Sequence, residues 1–179
     1  MKKLLILSTL FLFSISSFAQ TNATAASKIL AAAYKEAAEQ QKNILVIFHA
    51  SWCGWCHKMD ASINSAECKK LFTNNYIITH LAVHESENKK LLENEGADAL
   101  LKQYKAFYSG IPFWVVLDKD GNLLYDSFIK NTDGTSFNIG CPASEKEVTG
   151  FIKILKATSD LKEKELDVIN KIFRQNENH

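Results

Sequence analysis

Hydrophobic and polar positions follow two periods along this chain, and the points where one replaces the other mark its elements. Residues 25–41 are strong helix formers, and Leu30, Tyr34, Ala37 and Gln41 recur at helical spacing, which predicts an amphipathic helix ended by Lys42-Asn43. Residues 44–50 form a continuous β-branched and aromatic run, the pattern of a strand buried on both faces. Ser51-Trp52-Cys53-Gly54-Trp55-Cys56 interrupts that run, and residues 57–63 continue as a helix. Residues 76–83 predict a second strand, 85–95 a polar stretch covering the surface, and 97–107 a helix. Residues 113–117 and 123–125 read as short strands joined by Asp118-Lys119-Asp120-Gly121, a hairpin signal with its glycine placed for positive φ. Residues 131–140, polar and glycine-bearing, predict a loop. Ser144-Glu145-Lys146-Glu147 spells a capping box that opens a helix with Val148, Phe151, Ile152 and Leu155 on its apolar face. Thr158-Ser159-Asp160 breaks it, and residues 161–173 form a last helix with Leu166, Ile169 and Phe173 on one side. The order predicts an α/β fold in which helices flank a central mixed β-sheet.

The first residues stand apart from this pattern. Met1-Lys2-Lys3 is a positive start, residues 4–13 are an apolar core, and Ser17-Phe18-Ala19 is a small-x-small cleavage site. The expectation is a signal peptide over 1–19 and one domain over 20–179. An uncleaved anchor needs about 20 apolar residues, and Ser8, Ser14, Ser16 and Ser17 interrupt this segment too early. No cysteine follows the cleavage point to carry a lipid, and no later stretch is apolar enough to span a bilayer, so a periplasmic or otherwise exported, soluble mature protein is expected. Loss of Lys2 and Lys3 takes the formal charge from +1 to −1, and Arg174 is the only arginine. That balance gives no electrostatic reason to bind nucleic acid or an anionic membrane.

The chemistry concentrates at Cys53-Gly54-Trp55-Cys56. Two cysteines separated by two residues, where a strand gives way to a helix, can close a disulfide ring and open it again. At a helix start the first N–H groups lack intrahelical partners and the dipole is positive, so a Cys53 thiolate is stabilised there. The thiolate is the nucleophile, and such cysteines titrate below the free value of about 8.5. Cys56, a turn further on, can attack a mixed disulfide formed at Cys53. Other readings compete. Cys53-x-x-Cys56-His57 matches the c-type haem attachment motif, although a haem pocket would want helices around it rather than a buried strand. Zinc would need two further ligands, and neither Cys68 nor Cys141 lies in a second such pair. Asp118-x-Asp120-Gly121 lacks the downstream glutamate of a calcium loop. Cys68 and Cys141 could bridge only if their Cα atoms came within about 7 Å; otherwise they are buried small hydrophobes.

Gly110-Ile111-Pro112-Phe113 supplies a second motif, a proline at the first residue of a strand, where a missing ladder donor is tolerated. With both motifs the chain resembles the thioredoxin-fold family, and is most similar to exported bacterial thioredoxin-like proteins with a Trp-Cys-Gly-Trp-Cys motif. The resemblance covers roughly residues 25–158. It implies a cis Pro112 facing the cysteine pair, the Ile111 backbone as a docking edge for a substrate peptide, and Trp52, Gly54 and Trp55 as its surroundings. It further implies an exported thiol–disulfide oxidoreductase, acting as a reductase, with disulfide-containing or reduced exported proteins and a membrane electron donor or oxidant as partners, and with no cofactor or metal beyond the dithiol. A non-catalytic binding or chaperone module on the same scaffold is the alternative. Two departures stand out. Trp55 replaces the proline found before the second cysteine in thioredoxin. Ile47 stands where thioredoxin carries a buried aspartate six residues ahead of the first cysteine. His57 is then a candidate acid–base residue, as is His49, since histidine is the side-chain type whose ordinary pKa lies nearest neutral pH.

Overall fold

The run Ile44-Leu45-Val46-Ile47-Phe48 organises the molecule. The computed structural model describes residues 23–178, and the leader expected over 1–19 lies outside them. β1 (Asn43–His49) buries that run completely, as a central strand covered on both faces must. It pairs in parallel with β2 (Tyr76–Ala82) and antiparallel with β3 (Phe113–Leu117). β3 carries β4 (Leu123–Asp126) on its other edge, so the mixed sheet runs β2-β1-β3-β4.

Side-chain alternation along the strands splits the core into two layers. Ile44, Val46 and Phe48 of β1 pack with α1 (Ala26–Gln40) and α4 (Ala97–Gln103) through Leu30, Ala37 and Leu101. Leu45 and Ile47 face the opposite way, towards α2 (Gly54–Ile63), α3 (Lys69–Asn75), α5 (Glu145–Thr158) and α6 (Glu163–Arg174). The centre of that layer is aromatic. Phe151 lies 5.2 Å from Trp114, 5.0 Å from Phe173 and 6.2 Å from Phe72, measured between ring centroids. Trp114 keeps its one polar atom satisfied by donating Nε1–H to the Gly140 carbonyl at 2.8 Å.

Most predicted elements stand where the patterning puts them. Ser144 caps α5 in a full capping box, its hydroxyl accepting from Glu147 N and its own N–H donating to Glu147 Oε2 at 2.9 Å. Three differences have local causes. α3, absent from the expected order, is a short helix containing Thr73, Asn74 and Asn75, poor helix formers, and it is held by the fully buried Phe72. α4 stops at Gln103 because Lys105 turns left-handed at φ 58° and Ala106 N donates back to Leu101 O at 2.8 Å. That is a Schellman closure made without the glycine that would announce it. The stretch expected as a loop contains β6 (Ser136–Asn138), which pairs with β5 (Phe128–Lys130) in a separate small sheet. Ile129 of this hairpin closes on α5 at Gly150, where an added Cβ would meet it at 3.1 Å. Among the described residues no helix is long and apolar enough to cross a membrane.

Candidate active site

The turn from β1 into α2 positions the two sulfurs. Cys53 is the N-cap of α2, and the Cys56 N–H in the first turn is shared between the Cys53 sulfur and the Cys53 carbonyl oxygen, each at 3.1 Å. Cys53 and Cys56 are bonded to each other, S–S 2.05 Å with Cα atoms 5.2 Å apart. Each is almost fully buried, at 3% and 2% exposure, so attack must come through a narrow opening.

The Ile111–Pro112 peptide is cis. The Ile111 carbonyl oxygen lies 3.6 Å from Cys53 Sγ, and the Ile111 side chain packs on Ala50, Cys53 and Cys56. Trp52 and Trp55 stand exposed beside the pair. Trp52 Nε1–H donates to the His84 carbonyl at 2.8 Å, and the Lys58 ammonium sits 4.2 Å from the centre of the Trp55 ring. Gly54 opens α2 with no atom within 4 Å of where a Cβ would be, so it leaves the approach clear.

The histidines take other positions. His57 Nε2 lies 3.0 Å from the Ser51 carbonyl, which can only accept, so Nε2 carries the proton and braces the turn. His49, half-buried on β1, meets the His80 ring edge-on at 5.3 Å. Burial first, then the neighbouring His80, pushes its pKa below the usual histidine value. His80 Nε2 is paired with Asp60 Oδ1 at 2.8 Å. Cys68 and Cys141 form no bridge: both are free and buried. Burial raises the Cys68 thiol pKa and pushes that of Cys141 up to about 12. Among the described residues no group of three or more His, Cys, Asp or Glu is placed to hold a metal ion.

Two residues that sequence patterning passed over complete the site. Glu85, in the stretch expected at the surface, is buried and binds Ser51 through both carboxylate oxygens. Asn138, on β6, donates Nδ2–H towards the carbonyls of Gly110 at 3.1 Å and Pro112 at 3.0 Å, while its Oδ1 accepts from Ser127 Oγ and Gly140 N. Gly140 itself, at φ 50°, must be small, because a Cβ there would lie 3.2 Å from Pro112 O. Asn138→Ala leaves those partners unsatisfied. It is expected to lower the unfolding free energy by about 2–3 kcal/mol, read from a urea denaturation midpoint.

A shallow cleft of about 220 Å³ runs beside Pro112, with Trp55, Gly110, Asn138 and Cys141 in its wall. A larger cavity of about 870 Å³ opens between β5 and α5, but its lining includes neither Cys53 nor Cys56.

The thioredoxin-like family model matches residues 25–119, more than half of the chain. Among solved structures, the disulphide isomerase from Xylella fastidiosa Temecula1 is 21% identical with a TM-score of 0.53, over 75% of this chain and 92% of that one. The oxidised DsbD C-terminal domain of Neisseria meningitidis is 24% identical with a TM-score of 0.42, over 58% and 84%. A DsbH oxidoreductase is 22% identical with a TM-score of 0.45, over 83% and 95%. No curated protein matches. With its mixed sheet, its flanking helices and a Cys-x-x-Cys disulfide at the head of α2, the chain belongs to the thioredoxin-like family and carries that family's thiol–disulfide oxidoreductase pair at Cys53 and Cys56.

Proposed function

We propose that the protein is an exported enzyme that reduces disulfides in other exported proteins, with Cys53 as nucleophile and Cys56 as resolver. The observation that carries this is the Cys53–Cys56 disulfide at the start of α2, against the Ile111 carbonyl. In the reduced enzyme the Cys53 thiolate attacks a substrate disulfide, forming a mixed disulfide and expelling one substrate thiolate. Cys56, deprotonated, then attacks Cys53 Sγ and releases the second substrate thiolate. Two electrons pass to the substrate, and the enzyme is left as the disulfide. A dithiol donor, supplied in this reading from the membrane, returns it to the reduced form by the same exchange.

A polypeptide substrate suits the surroundings. The cleft beside Pro112, about 220 Å³, is smaller than the ~300 Å³ or more of pockets that enclose small ligands, and it is flanked by exposed Trp55. An extended segment laid along the Ile111 backbone would bring its sulfur to Cys53, with Trp52 and Trp55 covering it. The leader over 1–19, with cleavage before Gln20, is the basis for export.

The test joins activity to processing. Protein recovered from the exported fraction is expected to have the mass of a chain starting at Gln20, and after reduction it is expected to accelerate insulin precipitation by dithiothreitol. A retained leader would refute export by this route. Failure to catalyse, with the fold intact, would favour a non-catalytic binding module.

A further inference from the structure

Among the described residues one acid is buried, and it is bonded to the turn that leads into the redox pair. Glu85 is 5% exposed. Its Oε1 accepts from Ser51 N at 2.6 Å and its Oε2 from Ser51 Oγ at 2.8 Å, two residues ahead of Cys53. Its own N–H donates to Glu93 Oε1 at 2.7 Å. Both carboxylate oxygens act as acceptors, as an ionised carboxylate does. The ion pairs of the neighbourhood, His80–Asp60, His84–Asp98 and Lys90–Glu93, leave Glu85 out.

We propose that Glu85 is a positioning residue that also biases the redox pair: its carboxylate fixes the turn before Cys53, and its buried charge disfavours the Cys53 thiolate, making the dithiol the stronger reductant. The reasoning is electrostatic. A negative charge held out of water acts through a weak dielectric, so it opposes a second negative charge nearby. In the oxidised enzyme Cys53 is neutral and feels no such opposition. The penalty therefore falls on the reduced state alone, and electrons leave it more readily. The other charged or titratable groups around the turn are Lys89, whose Nζ lies 3.2 Å from Ser51 Oγ, and His57 on the Ser51 carbonyl. Beyond them are Glu93, whose Oε1 accepts from Glu85 N, Lys58 and Asp60 on α2, and His49 on β1. Lys89 is exposed and offsets the Glu85 charge only in part.

The inference rests on the exchange chemistry proposed above and deepens it by giving the direction a cause. The test is equilibration with glutathione, in which enzyme disulfide and two glutathione thiols become enzyme dithiol and one glutathione disulfide. Glu85→Gln keeps an acceptor for Ser51 N and gives a donor to Ser51 Oγ, but removes the charge. At pH 8 it is expected to shift this equilibrium about tenfold towards the dithiol, an upward change of ~30 mV in potential. The midpoint for Cys53 alkylation should fall by about one pH unit, and the difference in potential should close at pH values below both midpoints, where both proteins hold a neutral thiol. A purely structural brace would leave potential and midpoint where they are, and that result would overturn the proposal. Lys89→Met, a surface change that keeps the test decidable if the glutamine variant does not fold, should move the equilibrium about twofold the other way; no movement, or movement towards the dithiol, would also overturn it. If the wild-type protein did not exchange with glutathione at all, the proposed function would fail, a result distinct from exchange that ignores Glu85.

Discussion

Cys53→Ser is expected to abolish insulin-disulfide reduction, a loss of roughly 10³-fold or more, whereas Cys56→Ser should retain attack and accumulate mixed disulfides with its substrates. The two cysteines occupy different electrostatic positions. Cys53 caps α2, and its sulfur receives the Cys56 N–H. Once the disulfide is reduced, that N–H and the helix dipole favour the Cys53 anion, while Cys56 sits inside the first turn, buried to 2% exposure. Rapid iodoacetamide labelling of the reduced enzyme near pH 6 should therefore mark Cys53 alone, as read by peptide mass. Cys141, with its pKa raised to about 12, remains a neutral thiol throughout that range, and Cys68, raised in the same direction, is likewise slow. If Cys53→Ser were the variant that labels fast and traps partners, the roles of nucleophile and resolver would be reversed.

What could be read from the sequence, and what could not, divides along the kind of interaction involved. β1 announces itself because burial on both faces leaves an unbroken apolar run, and the Ser144 capping box because its two hydrogen bonds join residues three apart. Cys53, Cys56 and Pro112 are visible because their chemistry depends on residue type at short spacing. Glu85 and Asn138 are invisible for the opposite reason. Each acts on backbone groups 26 to 34 positions away, Asn138 on Pro112 O and Glu85 on Ser51 N, and such bonds impose no period on the chain. A polar residue in a polar stretch reads as solvated surface until the fold shows what it touches. The same limit applies to His57. Its type suggests proton transfer beside Cys56, but the direction of its ring, towards the Ser51 carbonyl, is a property of the turn. β6 was hidden because a three-residue strand is too short to alternate visibly.

Phe151→Ala is expected to cost about 3–5 kcal/mol of stability, a large share of the ~5–15 kcal/mol that a domain of this size holds in total. Phe151 is fully buried, and its ring touches three others that come from separate parts of the chain: Phe72 of α3, Trp114 of β3 and Phe173 of α6. Those neighbours are themselves packed into place and cannot all collapse into the space left by the ring, so the cavity persists and adds to the lost transfer energy. The same layer holds Met59 and Ile63, the inward face of α2, whose other end carries the disulfide. The redox pair is set by the first turn of that helix and by the Pro112 segment rather than by its buried far side. A urea midpoint should therefore drop sharply in Phe151→Ala while the pH midpoint of Cys53 alkylation in the folded protein stays that of the wild type. Phe151→Leu, which refills most of the volume, should recover the larger part of the loss. A change below about 1 kcal/mol in Phe151→Ala would mean that the aromatic cluster is not what fastens α5 and α6 to the sheet.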